Sequence, residues 1–176
     1  MDKEKYLMTG DKVSLRLMEE QDFPLIVKWR NSDRVRNNFI YRQKFTLEGQ
    51  RIWQETMIDT GKVVQLMICE NKKSLRPVGC VYFRDIDRQS LTAEYGIFIG
   101  EDDATGLGYG NETADLATAY AAQVLGLREL ILRVFVRNES AIRSYEHAGF
   151  EKTDFLPAVL CSDGQKDDMI LMKKSL

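Results

Sequence analysis

The sequence predicts an α+β (mixed α/β) domain, one mixed sheet covered by helices. Extended apolar segments come first in a run, at 63–69, 78–83 and 91–100, separated by polar turns. Strand-like and helix-like segments then alternate towards the C-terminus. Of the 176 residues, 44% are hydrophobic and 30% charged, the composition of a water-soluble folded chain, and no linker, repeat or low-complexity stretch interrupts it. A chain of this size buries about 70% of its unfolded surface, enough for one core without staples. Residues 1–176 therefore read as a single domain.

Residues 13–17 (VSLRL) alternate apolar and polar, the period of a half-buried strand. A helix follows, with Asp22 as N-cap, Pro24 in the first turn, and Phe23, Ile26, Val27 and Arg30 at helical spacing before Asn31 and Ser32. A second helix starts at the N-cap Thr46 with Glu48 in its first turn, and Ile52, Trp53 and Met57 form its expected buried face. The three extended segments then form an antiparallel meander with turns at 70–77 and 84–90. Beyond it, Thr113, Leu116, Ala117, Tyr120 and Val124 mark the apolar stripe of a helix that ends near Gly126. A strand at 130–136, a helix at 138–148 stopped by Gly149, and a strand at 168–172 complete the order.

Composition excludes several functions. A net charge of -2 offers no electrostatic case for a nucleic-acid or membrane partner. Cys69, Cys80 and Cys161 are odd in number and sit mostly in apolar runs, as reduced thiols do; with the N-terminal MDKEKYLMTGDK lacking an apolar signal core, this points to the cytoplasm. With one histidine, His147, and no CxxC pair, no metal site is expected. His147 lies off the face carrying Tyr145 and near a helix C-terminus, where the dipole favours a solvated histidine.

Two constellations carry chemistry. In GIFIGEDDATGLGYGNE (96–112) an apolar strand passes through an acidic turn into Gly106, Gly108 and Gly110 and then a helix. Glycines permit positive φ and close approach, and free amides at a helix N-terminus favour an anion such as a pyrophosphate. The spacing is not GxGxxG and no Gly-Lys-Ser/Thr follows, which disfavours NAD and ATP. Alone, the loop reads equally well as a flexible turn. In RNESAIRSYEHAGF (137–150), Asn138, Ala141, Tyr145 and Gly149 share one helix face. A phenol of pKa near 10 can protonate a basic leaving group, though a tyrosine there also suits simple packing.

Together these segments resemble the Gcn5-related N-acetyltransferase (GNAT) family, and within it the ribosomal-protein acetyltransferase-like branch. The family's glycine motif falls on residues 105–110, matching at Gly108 and Gly110, and its later motif on Asn138, Ala141, Tyr145, Gly149 and Phe150. Thr105 departs from the usual Arg or Gln. The resemblance spans essentially the whole chain and implies a central, twisted, mixed, mostly antiparallel sheet of about six to seven strands flanked by about four helices.

It further implies an acetyl-CoA co-substrate, no metal, and transfer to an amine by direct attack on the thioester. The cofactor would lie between the strands at 92–100 and 130–136, held by Phe98, Ile99, Gly100, Thr105, Gly106, Leu107, Gly108, Tyr109, Gly110 and Asn138. Pantetheine would pair with the backbone of Phe98 and Gly100 by strand addition. Glu94 is the candidate base, with water as the alternative, or else a surface strand residue paired with an arginine such as Arg84; Tyr145 is the candidate acid. The carboxylates of EDD (101–103) are expected only to solvate the turn.

The acceptor side falls on WRNSDRVRNNFIYRQKF (29–45), rich in arginine and aromatic residues. Either Trp29 and Phe39 are core and the arginines solvated, or Arg30, Arg34 and Arg36 bind an anionic acceptor such as a nucleotide-linked amino sugar or a protein N-terminus. The expected partner is a small-molecule or peptide amine, on a monomer or homodimer. The alternative function is an acyl-CoA-binding sensor or interaction module without turnover.

Overall fold

The computed structural model describes residues 5–72 and 74–176. Its strands form one sheet in the order β1-β2-β3-β4-β5-β6-β8-β7. The strands are β1 (Met8–Thr9), β2 (Val13–Leu17), β3 (Val64–Glu70), β4 (Arg76–Asp87), β5 (Thr92–Ile99), β6 (Glu129–Phe135), β7 (Glu151–Leu160) and β8 (Lys166–Ser175). Every neighbouring pair is antiparallel except β5 and β6, which run parallel. The sheet is thus mixed and mostly antiparallel, with eight strands rather than six or seven. The unforeseen strands are the two-residue β1 and β7, the latter exposed along almost its whole length. Among the described residues, only Leu156 and Val159 of β7 pack on a buried cluster, so it carries no apolar alternation.

Helices α1 (Phe23–Asn31), α2 (Asp33–Arg36), α3 (Leu47–Trp53), α4 (Tyr109–Gln123) and α5 (Glu139–His147) cover the sheet. The main core joins sheet residues such as Leu66, Val81, Phe83 and Leu132 to Ala117, Tyr120 and Ala121 of α4 and Ile142 of α5. Another cluster packs Ile26 and Trp29 of α1 on Met67, Cys69 and Cys80, with Phe98 against it. Thr46 caps α3 by accepting the Gly49 amide at 3.0 Å. The predicted buried face of α3 is corrected: Ile52 is 50% exposed and Gln50 is the buried residue. The helix widens to a π turn at Gln54–Ile58, which shifts the later residues off the stripe. Val124 is also exposed, lying past the last turn of α4.

Candidate active site

Pairing between β5 and β6 is confined to Thr92, Ala93 and Glu94 against Glu129, Leu130 and Ile131, although both strands run on. Beyond Glu94 they part, and a cavity of about 990 Å³ opens, lined by β5, by Arg133, Val134 and Phe135, and by residues of α1, α2 and α5. One edge of β5 therefore faces this gap.

Which backbone groups it presents follows from register. The Gly100 amide donates to Val78 O at 2.7 Å and Phe98 stands opposite Cys80, so even-numbered residues of β5 spend their N–H and C=O on β4. On the other side Leu91 O accepts the Arg128 amide at 2.7 Å, so the odd-numbered set, Tyr95, Ile97 and Ile99, turns towards β6 and the gap. This corrects the expected backbone partners: Phe98 and Gly100 are committed to β4, and the free edge is offered by Ile97 and by the Ile99 amide. The Gly100 carbonyl is further occupied by Arg34 Nη2 at 2.8 Å, and the Ile99 carbonyl by Arg34 Nη1 at 2.9 Å.

After Ile99 the acidic turn is tethered rather than merely solvated. Glu101 accepts the Trp29 indole N–H at 2.8 Å, Asp102 the Arg34 Nε at 2.7 Å, and Asp103 the Arg76 Nη2 at 3.0 Å. The Trp29 bond, with help from Lys28, holds the Glu101 carboxyl below its usual range. The chain then enters α4 through Gly106 (φ +72°) and Gly108 (φ +78°), and no side chain caps the helix. The amides of its first turn, Gly110 among them, receive no side-chain N-cap, an arrangement that favours an anion. The Thr105 hydroxyl closes its own turn on Asp102 O at 2.8 Å, Leu107 is 47% exposed, and the Tyr109 side chain is buried, donating to Glu70 at 3.1 Å. Within 105–110 Tyr109 turns into the core while Thr105 and Leu107 are exposed. Glu112, one turn into α4, accepts the amides of Asp11, Lys12 and Val13 and pins this end to the sheet.

Across the gap, Asn138 caps α5 by accepting the Ala141 amide at 3.3 Å, and its own amide donates to Asn38. Asn138, Ala141 and Tyr145 all line the cavity, as their spacing predicts, and His147 is exposed on another face. The Tyr145 ring stands edge-on to Tyr95 at 6.2 Å. Burial, and then the Tyr82 phenol, pushes the Tyr145 hydroxyl well above the ordinary phenol value, so it stays a proton donor.

Glu94 lines the cavity but is engaged: Arg133 Nη2 lies 3.1 and 3.0 Å from its two oxygens and Arg84 Nη2 3.4 Å from one. The lone pairs a base would use point at fixed cations. Of the predicted arginines, Arg34 lines the cavity with its donors spent on the turn, and Arg36 pairs with Asp33 outside the lining. Arg30 alone is buried in the lining. Burial lowers its guanidinium to about 10. Sequence reasoning missed Tyr82, Phe45 and Arg133, while the pairing of Glu94 with Arg84 is the one it named. Arg133 was the detectable one, a charge inside the apolar run LILRVFV. Among the described residues no group of His, Cys, Asp and Glu could hold a metal ion.

Residues 12–151 match the family described as the acetyltransferase (GNAT) domain. Among solved structures, the spermidine N-acetyltransferase from Vibrio cholerae in complex with CoA and spermine aligns with a TM-score of 0.87 at 20% identity, over 94% of this chain and 96% of that one. A dodecameric structure of spermidine N-acetyltransferase from the same organism, in an intermediate state, aligns with a TM-score of 0.79 at 20% identity, over 94% and 95%. At such identity the likeness is one of fold.

Proposed function

Because the chain belongs to the acetyltransferase (GNAT) domain family, and so is an acetyl-CoA-dependent N-acetyltransferase, we propose that its reaction runs in the gap between β5 and β6. The single observation that carries this is the parting of the two strands after Glu94, which leaves an unpaired edge leading from the α4 N-terminus to Tyr145. The free groups of Ile97 and the Ile99 amide would pair with pantetheine as an added strand would. The uncapped amides around Gly108 and Gly110 would take the pyrophosphate. That contact needs no side chain at Thr105, so the departure from the family motif is tolerable. Placement in the ribosomal-protein acetyltransferase-like branch rests on the motifs at 105–110 and 138–150 alone.

Acetyl-CoA supplies an activated acyl group: the amine nitrogen bonds to the carbonyl carbon, the C–S bond breaks, and the sulfur leaves as thiolate. Tyr145, protonated and lining the gap, donates the proton that the thiolate takes up. Glu94 acts through its neighbours, holding Arg84 and Arg133 at the point where the strands separate. The ammonium first gives one proton to water, and the second, lost from nitrogen as the amide forms, returns to Tyr145 through water and restores the phenol.

The acceptor enters from the side of α1 and α2. The Vibrio cholerae protein acts on spermidine. Here the lining carries Arg30, Arg34, Lys44, Arg84 and Arg133 against one carboxylate, Glu94, a field that repels a polycation and favours an amine bearing negative charge. A nucleotide-linked amino sugar and an acidic protein N-terminus both satisfy this. The assembly, monomer or homodimer in this reading, is measured by light scattering.

Purified protein is mixed with acetyl-CoA and a panel of anionic, neutral and polycationic amines, and free thiol is followed. CoA at a hundredfold excess over its Kd should stabilise the fold by about 2.7 kcal/mol, with thiol released on anionic amines. Stabilisation with no release on any amine would instead make the chain an acyl-CoA-binding module.

A further inference from the structure

The arginines with the most deeply buried side chains are matched to carboxylates, with one exception. Arg16 holds Asp22 through two bonds of 2.7 Å, and Arg42 lies 3.3 Å from Asp163 and 3.6 Å from Asp167. Arg30, only 7% exposed, pairs with no carboxylate among the described residues. Its guanidinium carbon sits 3.4 Å from the Phe39 ring centroid and 4.5 Å from that of Phe45. Nη2 makes a long bond of 3.4 Å to Tyr41 O, and Nη1 is buried with no hydrogen-bond partner at all. A desolvated cation is costly unless its donors are met, and aromatic faces answer the charge without accepting in-plane N–H bonds. Arg30 lines the cavity that also holds Tyr145.

We infer that Arg30 is the anchor for the acceptor's anionic group, a carboxylate or phosphate on a small amine. This rests on the transferase reading of the same cavity. Phe39 and Phe45 fix the guanidinium plane, so the acid group meets a preset donor and the far end of the molecule is directed towards the gap between β5 and β6. Arg84 and Arg133 share Glu94 on the opposite wall, and Asp85 also pairs with Arg84, so the cations of that wall are already matched to carboxylates. Arg34 and Arg36, both nearby in sequence, are already paired and take no part in holding the acid.

The test compares wild type with Arg30→Met and Arg30→Gln, all saturated with CoA so that the glycine loop is filled. Inorganic phosphate and acetate are titrated separately while melting temperature is recorded. Turnover is then measured on matched amines with and without a carboxylate, with and without a phosphate, and on spermidine. Wild type should melt higher in at least one of the two anions, and prefer the acidic amine at least tenfold in kcat/KM, through KM. Both variants should lose the anion shift and show a preference near unity while melting no lower than wild type without anion, since an unmatched buried charge has been removed. The arm that responds tells carboxylate from phosphate. Equal anion shifts in wild type and variants, or a wild-type preference for spermidine or the neutral amine, would overturn the anchor and leave the transferase standing. Anion shifts lost in the variants, with no thiol released from any amine, would uphold the anchor and remove the transferase reading.

Discussion

Tyr145 and Glu94 both line the cavity, but their surroundings assign them different work. The Tyr145 hydroxyl, raised by burial, keeps its proton above the pH at which a free phenol ionises. Tyr145→Phe should lower kcat about a hundredfold with KM for acetyl-CoA little changed, and the wild-type rate should hold through pH 10; an unaltered kcat in the variant would remove the acid assignment. Glu94→Gln tests the other role. Acting as an ion-cluster residue, Glu94 should leave the acid limb of kcat/KM in place when changed, while KM for the acceptor rises as Arg84 and Arg133 lose their shared partner. Disappearance of that limb would restore Glu94 as base. Proximity was legible from the two-residue strand period, and so was a pairing with Arg84; Arg133 was not, because it arrives from β6.

At the scale of elements, the end of β5 and the turn after it are held by side chains from α1, α2 and β4. Arg34 grips two carbonyls and Asp102 at once. Arg34→Met should weaken CoA binding about tenfold, roughly 1.4 kcal/mol, read by calorimetry, with the far-ultraviolet spectrum unchanged. Trp29→Phe keeps the ring but removes the donor to Glu101. Since the Glu101 carboxyl is lowered in the folded chain, its stabilisation is present above about pH 4.5 and lost as pH falls through the folded value. The variant should lose about 1–2 kcal/mol at neutral pH beyond the packing cost of the smaller ring, and that part of the gap should close in acid; a gap constant with pH would exclude the Glu101 bond as a contributor.

For the whole molecule, the sheet buries all three cysteines, and burial raises the Cys80 thiol to about 12. Native protein should therefore give no reaction with a thiol dye, and denatured protein three equivalents per chain; native reactivity would show that the sheet opens readily. The sequence by itself determined what depends on neighbours along the chain: the meander, the glycine turn into α4, and the spacing that sets Asn138, Ala141 and Tyr145 on one face. These are matters of backbone period and φ, encoded within a few residues. Tertiary structure alone decided which edge of β5 is free, because strand register fixes whether odd or even amides face β4. It also decided which of three arginines lies buried without a counter-ion, and that EDD is a set of tethers. A charge's role depends on its partner, and here the partners of Glu101, Asp102 and Glu94 come from distant segments that only folding brings together.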